Sequence, residues 1–465
     1  MKAVVYDVAG AAVVSRGACP LALTQDRPGQ AEQDPQAWTE GLVRASAAAL
    51  ESVDRAAVVA VSVSGQQHGL VPLDAEFGVL MPAKLWCDTE SAEEAAELSR
   101  QMPFAIGASF TLSKLLWMKR HRPDLFARLA HVALPHDYMN YWLTGLLVSE
   151  ASDASGIGCL DIVSRNWDVS LASLVDDKVA ECLPALVGPD EAVGTLTAAA
   201  AERLGLETDV VVAPGGGDNA MSALGAGAVA DGQAVMSLGT SGTLFCRSSA
   251  PVADPTGTVA PFCDATGGYL PLLCTLNCTS ATEEVRKAFG MDLDTLTDLA
   301  AREPPGAHGV NFVPYLMGER TPNLPQATGA LLGLRPGLMR PGVVFRAALE
   351  GATYSLLAGS GALEDQGARI TELRVVGGGS KNKLWRKMIA DSFQVPVLQL
   401  QESETAALGA ALQAAAVWKG EKVGDYVRQQ PPPLEPGATE PDPGAAGAYV
   451  AAFQRHVELG GKLFQ

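Results

Sequence analysis

Apolar and polar positions along this chain change period repeatedly, and glycine marks most of the changes. The β-rich run Asp209–Ala213 (DVVVA) predicts a buried strand. A glycine turn, Gly215–Asp218, follows, and then Ala, Met and Leu at helical spacing. Gln233–Leu238 predicts a second strand ending in Gly239-Thr240-Ser241-Gly242, with a further strand over Thr243–Arg247. The same strand-turn-helix signal recurs where Leu373–Val376 runs into Gly377-Gly378-Gly379-Ser380 and a helix over Asn382–Ser392. Upstream, Ala57–Val63 predicts a strand ending in Ser64-Gly65-Gln66-Gln67-His68-Gly69, and Ala3–Tyr6 and Ala11–Ser15 predict strands joined at Asp7-Val8-Ala9-Gly10. Helices are predicted over Gln36–Ser52, behind a Ser91 cap, over Ser113–Arg120, from Pro135, over Gly342–Ala358, from a Ser403 cap to Gly420, and from Ala446. Ser152–Gly158 and Pro431–Gly444 read as loops.

Length and charge narrow this pattern. At 465 residues the chain is too long for one core, so two domains are expected, 1–230 and 231–465. The 52 acidic against 34 basic residues set a formal charge of -18, which argues against a nucleic-acid or anionic-membrane partner. An anionic ligand must then be held by local glycine turns and a metal rather than by the global field. The eight cysteines lack paired metal spacing and read as small core residues of a reducing compartment. No signal peptide and no run of eighteen apolar residues appear, so the expectation is a soluble, cytoplasmic protein.

The chemistry concentrates in two turns. A strand-to-helix glycine turn aims N–H groups and the helix dipole at an anion. Asp218 in that turn would repel a phosphate seated on the amides, and suits a base or metal ligand beside it. Gly239–Gly242 is uncharged, with two hydroxyls and glycines that let backbone approach a ligand. The pairing suggests phosphoryl transfer. Gly215-x-Gly217-x-x-Ala220 also matches a dinucleotide fingerprint, but Asp218 would face the pyrophosphate and no strand ending in an acid follows. Taken alone, Gly239–Gly242 reads first as a strand-end turn and His68 as a structural histidine, and Gly377–Ser380 reads equally as a close-packed corner. The Gln67-His68 turn suits a neutral polyol better than a phosphate.

Eight motifs in order resemble the FGGY carbohydrate kinases: GQQHG (65–69), KLLW (114–117), PHDY (135–138), SDASG (152–156), GGGDNA (215–220), SLGTSG (237–242), PYLMGERTP (314–322) and GGGSKNKLW (377–385). The likeness runs from Glu32 to Trp418 and is strongest to members that phosphorylate xylulose. It implies an α/β fold of two actin-like, ribonuclease H-like ATPase domains facing across a cleft, with sugar on the first and ATP with Mg²⁺ mostly on the second. By the same resemblance Asp218 is the catalytic base and a metal ligand, and Gln67, His68, Asp218 and Asn219 contact the sugar. Gly239, Thr240 and Ser241 hold phosphates, and Gly378, Gly379 and Asn382 lie at the adenosine. The implied reaction is ATP-dependent phosphorylation of a ketopentose, D-xylulose first, with another pentulose or a polyol as the alternative. The resemblance is compatible with a homodimer, and a hinge is expected near Ala228–Gln233.

The N-terminus departs from the resemblance. Its two domains are related as an internal repeat, so the first should open with a strand, an Asp-x-Gly-Thr-Ser loop and a strand. This chain has no such loop. Lys2–Tyr6 and Ala11–Ser15 fit as the second and third strands of that sheet, with Asp7–Gly10 as their hairpin turn. The expectations are a missing opening strand before Met1, an unpaired edge in the first sheet, and a chain that binds sugar but phosphorylates it poorly, or a catalytically impaired homologue.

Overall fold

The computed structural model describes residues 1–464 apart from 253 and 255. In the first half, Lys2–Asp7 and Ala12–Ala18 form an antiparallel hairpin, as expected, with Asp7 exposed at its turn. The helix Pro35–Ala49 starts one residue earlier than the apolar spacing predicts and ends three residues earlier, and Asp34 caps it by accepting from Gln36 N at 2.9 Å. Helix and hairpin touch at Gly17, where a Cβ would stand 2.0 Å from Ala45 O. Among the described residues Lys2–Asp7 pairs only with Ala12–Ala18, and Ala60–Val61 only with Val211–Val212, so each keeps a free edge.

The strand predicted over Asp209–Ala213 is real but bulged. Val211–Val212 runs parallel to Ala60–Val61, and Gly216–Gly217 runs parallel to Ser64–Gly65. One residue more separates the paired positions on the 211–217 side than on the other, which defines a β-bulge at Pro214-Gly215. Pro214 has no N–H for the ladder, and Gly215 sits at φ +74°. Their polar groups are satisfied elsewhere. Asn140 Nδ2 donates to Pro214 O at 2.6 Å, and the side chain of Gln413 takes both groups of Gly215, accepting from N at 2.8 Å and donating to O at 3.0 Å. The predicted turn 215–218 is therefore the end of a strand that runs directly into the helix Asp218–Gly225.

The second half is organised on a five-stranded sheet in the order Leu272–Thr275, Gly242–Cys246, Gln233–Leu238, Glu372–Val376, Val397–Gln399. Gln233–Leu238 lies at its centre, antiparallel to Gly242–Cys246 and parallel to Glu372–Val376. The 25-residue helix Pro341–Asp365 packs against this sheet and has Pro341 in its first turn. The alanine-rich helix Thr405–Lys419 crosses Asp218–Gly225 closely. A Cβ on Gly225 would stand 1.8 Å from Thr405 O, and one on Gly409 1.8 Å from Met221 O. Leu408 and Leu412 continue the apolar cluster of Met221 and Leu224, so one core spans both halves. Among the described residues no helix is long and apolar enough to cross a membrane.

Three local expectations are corrected. Ala57–Val63 divides into a 3₁₀ turn, Arg55–Ala57, and the short strand Ala60–Val61, because Asp54 accepts from Ala56 N and caps the turn. Ser152–Gly158 begins as a helix, Ala151–Ala154, nucleated by the buried Glu150 carboxylate, which accepts from Ser152 N and Asp153 N. Ser91 stands at the N-cap of Ala92–Ser99, as expected, but without a side-chain capping bond, whereas Glu404 and not Ser403 takes the N-cap of Thr405–Lys419, also without a side-chain bond.

The bulge yields a stability prediction. Gln413→Leu leaves Gly215 N–H and C=O buried without partners, each worth about 1–3 kcal/mol. The variant should lose at least about 2 kcal/mol in urea unfolding. An unchanged midpoint and slope would show that Gln413 does not support the bulge.

Candidate functional site

Asp218 is the first residue of its helix, behind Gly217 at the N-cap. Burial raises its carboxyl to about 7; the charge of Asp153 pushes the same way, and the backbone amides of Asn219 and Gln67 oppose it. Asn219 Nδ2 donates to Asp218 Oδ1 at 3.2 Å and to Gln67 Oε1 at 2.6 Å, so the three expected residues form one chain. The glycines make this possible. A Cβ on Gly217 would stand 2.6 Å from Gln67 Cγ, and one on Gly216 2.8 Å from Ser152 Oγ.

His68 joins them from the loop after Ser64–Gly65, at φ +64°. Its ring stacks on Phe110 with centroids 5.4 Å apart and lies 5.0 Å from Phe262, which the second half contributes. Nδ1 is enclosed without a partner, and a Cβ on Gly156 would stand 1.5 Å from it. Burial, then the charges of Lys114 and Arg320, hold the imidazole well below its usual proton affinity, so it is neutral. A buried lone pair is tolerated more readily than a buried unpaired N–H, which puts the proton on Nε2 as a donor. Lys114 of the KLLW motif is fully buried and donates to the carbonyls of Ala108, Ser109 and Phe110 at 2.7, 2.6 and 3.4 Å, fixing the loop that carries the Phe110 ring.

Behind Asp218 lies a buried charge cluster to which the sequence assigned no roles. His136 Nδ1 is 2.6 Å from Asp153 Oδ2, and its Nε2 is 3.1 Å from Asp137 Oδ1. Burial opposes the imidazolium, but Asp137, Asp153 and Glu150 together raise it to about 9. Ser152 Oγ accepts from Gly217 N at 3.4 Å, tying this cluster to the strand end. The signal was the pair of acid-bearing motifs, PHDY and SDASG; their burial was not visible in spacing.

In the second half, Gly239 O accepts from Thr279 N at 2.9 Å, and Thr240 O accepts from Cys278 N at 2.9 Å and Ser280 Oγ at 3.2 Å. With those carbonyls occupied and Thr240 exposed, the turn offers N–H groups and a hydroxyl, the donor set an oligophosphate requires. Gly377 sits against Leu238 O, placing Gly378 and Gly379 beside this turn. The two differ. Gly378 has open space where a side chain would be, whereas a Cβ on Gly379 would meet Trp385 at 2.7 Å. Asn382 is committed to structure: its Oδ1 accepts from Trp385 N at 3.1 Å and its Nδ2 donates to Thr297 Oγ1 at 2.9 Å.

One acidic cluster imitates a metal site. Glu32, Asp88 and Glu90 converge, but Lys84 Nζ sits among them, 3.1 Å from Glu32 and from Asp88, and pairs with Glu90. Four fully or largely buried charges so paired form a structural ion cluster.

The chain matches the family model for the N-terminal domain of the FGGY family of carbohydrate kinases over residues 1–225, and the model for its C-terminal domain over 234–418. It is similar to a xylulose kinase of Streptomyces rubiginosus, 40% identical over 90% of this chain and 86% of that protein. A xylulose kinase of Haemophilus influenzae is 37% identical over 89% of this chain and 87% of its own. The crystal structure of a xyloylose kinase from Brucella ovis superposes with a TM-score of 0.92 at 35% identity, covering 99% of this chain and 96% of that one. Fold, paired turns and matched family models agree, and the chain belongs to the FGGY family of carbohydrate kinases.

Proposed function

We propose that the chain transfers the γ-phosphoryl group of ATP to the terminal hydroxyl of D-xylulose, forming D-xylulose 5-phosphate. The observation that carries this reading is Asp218: a buried carboxyl raised to about 7, joined to Gln67 and Asn219, at the first residue of the helix that follows Gly216–Gly217. As a carboxylate it accepts the hydroxyl proton while the sugar oxygen attacks phosphorus. A base with that affinity is matched to neutral pH. His68 Nε2–H and the Gln67 and Asn219 amides orient the sugar, and Phe110 and Phe262, whose ring centroids are 6.2 Å apart, together shield the imidazole from water. Gly239, Thr240 and Ser241 take the phosphates, and the open face at Gly378 takes the adenosine.

Mg²⁺ retains most of its water and needs few protein carboxylates beside substrate phosphates. The donor set fits that regime, since Asp218 is available while Glu32, Asp88 and Glu90 are all engaged by Lys84. When bound, the ion neutralises charge on the phosphates during transfer. We place the division between the halves near Ala230, with Ala228–Gln233 as the hinge that brings sugar and nucleotide together.

A coupled ADP-release assay with D-xylulose, other pentuloses and glycerol tests the substrate; D-xylulose should give the highest kcat/KM, and a higher value for another sugar reassigns it. Asp218→Asn should lower kcat at least about 10²-fold while sugar binding persists. The base works deprotonated, so wild-type kcat/KM for sugar should fall as pH drops through about 7 and level off above it. A profile flat down to pH 5 would remove Asp218 from that role. Gly156→Ala places a Cβ on His68 Nδ1 and should raise sugar KM at least about tenfold with KM for ATP unchanged; equal effects on both would mean that His68 does not contact sugar.

A further inference from the structure

Arg320, in the loop that follows the strand Asn311–Val313, has no role in the reading above. Its guanidinium is half-buried, and among the described residues it has no carboxylate in ion-pair range and no hydrogen-bond acceptor. The adjacent acid is already engaged. Glu319 is 1% exposed; its Oε1 accepts from Leu276 N at 2.6 Å and Arg320 N at 2.8 Å, and its Oε2 accepts from Asn277 Nδ2 at 3.1 Å. A chain with 52 acids against 34 bases has no shortage of partners, so a half-buried guanidinium without one marks the place of an anion that is not part of the chain.

The location identifies the anion. Glu319 straps the Arg320 loop to Leu276-Asn277, and Asn277 Nδ2 also holds Gly318 O at 2.7 Å. The next residue, Cys278, donates to Thr240 O at 2.9 Å, and Ser241 Oγ donates to Leu276 O at 3.5 Å. Arg320 is thus mounted on the same support as the phosphate-type turn. Its charge also reaches the opposite wall, where it presses on His68 and on Lys114. A cation carried by the nucleotide half and felt by the sugar half lies where the phosphoryl group must cross.

We propose that Arg320 is a catalytic residue whose guanidinium grips the phosphoryl group as it passes from nucleotide to sugar. This rests on the phosphotransfer reading of the cleft. The sugar oxygen forms its bond to phosphorus as the bond from phosphorus to the bridging oxygen breaks. The electrons of that bond leave with ADP, and the hydroxyl proton goes to Asp218. Meanwhile charge spreads over the equatorial oxygens, where a planar fork of N–H groups binds more strongly than in the ground state.

The test compares wild type, Arg320→Ala and Arg320→Lys in the same ADP-release assay, with sugar affinity and Tm measured alongside. Arg320→Ala should lose about 10²–10³-fold in kcat, as for removal of a transition-state donor, with sugar Kd and Tm near wild type. Added guanidinium ion at non-denaturing concentration should restore part of the loss. Arg320→Lys should remain at least about tenfold down, because it keeps the charge and loses the fork; it also decides the matter if the alanine variant does not fold. Arg320→Ala or Arg320→Lys with kcat within threefold of wild type overturns the proposal, as does a loss confined to sugar Kd or Tm without rescue. The underlying reading fails separately, and visibly, if the wild-type chain releases no ADP with any sugar.

Discussion

A single side-chain amide holds the site in register. Gln413 belongs to the second half, is fully buried, and satisfies both backbone groups of Gly215 while its Oε1 also accepts from Ser62 Oγ at 2.7 Å. Without it the bulge at Pro214-Gly215 would bury an orphan donor and acceptor, and the strand would have no reason to shift register there. The shift sets the phase of everything downstream: Gly216 and Gly217 pair with Ser64 and Gly65, and Asp218 becomes the first helical residue. The helix carrying Gln413 then locks against Asp218–Gly225 through Gly225 and Gly409, where backbones meet with no side chain between them. The C-terminal half therefore builds part of the N-terminal site.

Charge is distributed unevenly between the surroundings of Asp218 and the turn Gly239–Gly242. Buried acids and one imidazolium surround Asp218; burial, and then the charge of Asp153, keep its proton affinity high, and His136 keeps Asp153 from being an isolated buried anion. The turn at Gly239–Gly242 carries no charge, so an oligophosphate seated there would meet dipoles rather than competing carboxylates. In a protein of net charge -18 this local neutrality matters more than the overall field, because screening removes the field beyond about 8–10 Å in physiological salt.

Much of this was legible in the sequence because it rests on residue types that serve few other purposes. Three glycines and an acid between a strand and a helix, and Gly-Thr-Ser-Gly after another strand, place Asp218 and Thr240 almost by themselves. The hairpin turn at Asp7–Gly10 and the Gln67-His68 loop were readable for the same reason. What was not readable depends on partners distant in sequence. No local pattern assigns Gln413 to Gly215, since glutamine within an alanine-rich helix reads as an exposed position. Nor does spacing reveal that Lys84 fills the Glu32, Asp88 and Glu90 cluster, or that Asn382 spends its side chain on Trp385 and Thr297.

The two glycines that resemblance places together at the adenosine show why spacing alone cannot assign a role. Gly378 and Gly379 are adjacent and identical in composition, yet only the first faces open space; the second is required because Trp385 and Leu238 leave no room for a Cβ. The same distinction separates Gly156, whose missing side chain admits the His68 ring, from Gly17, whose missing side chain admits a helix. In each case the physical reason is steric exclusion, but the excluding group decides whether a substitution would reach a ligand or only the fold. Of the three glycines of GGGS, Gly377 takes a positive φ against Leu238, Gly379 is required by packing and Gly378 alone faces open space, and only the neighbours across the chain tell them apart.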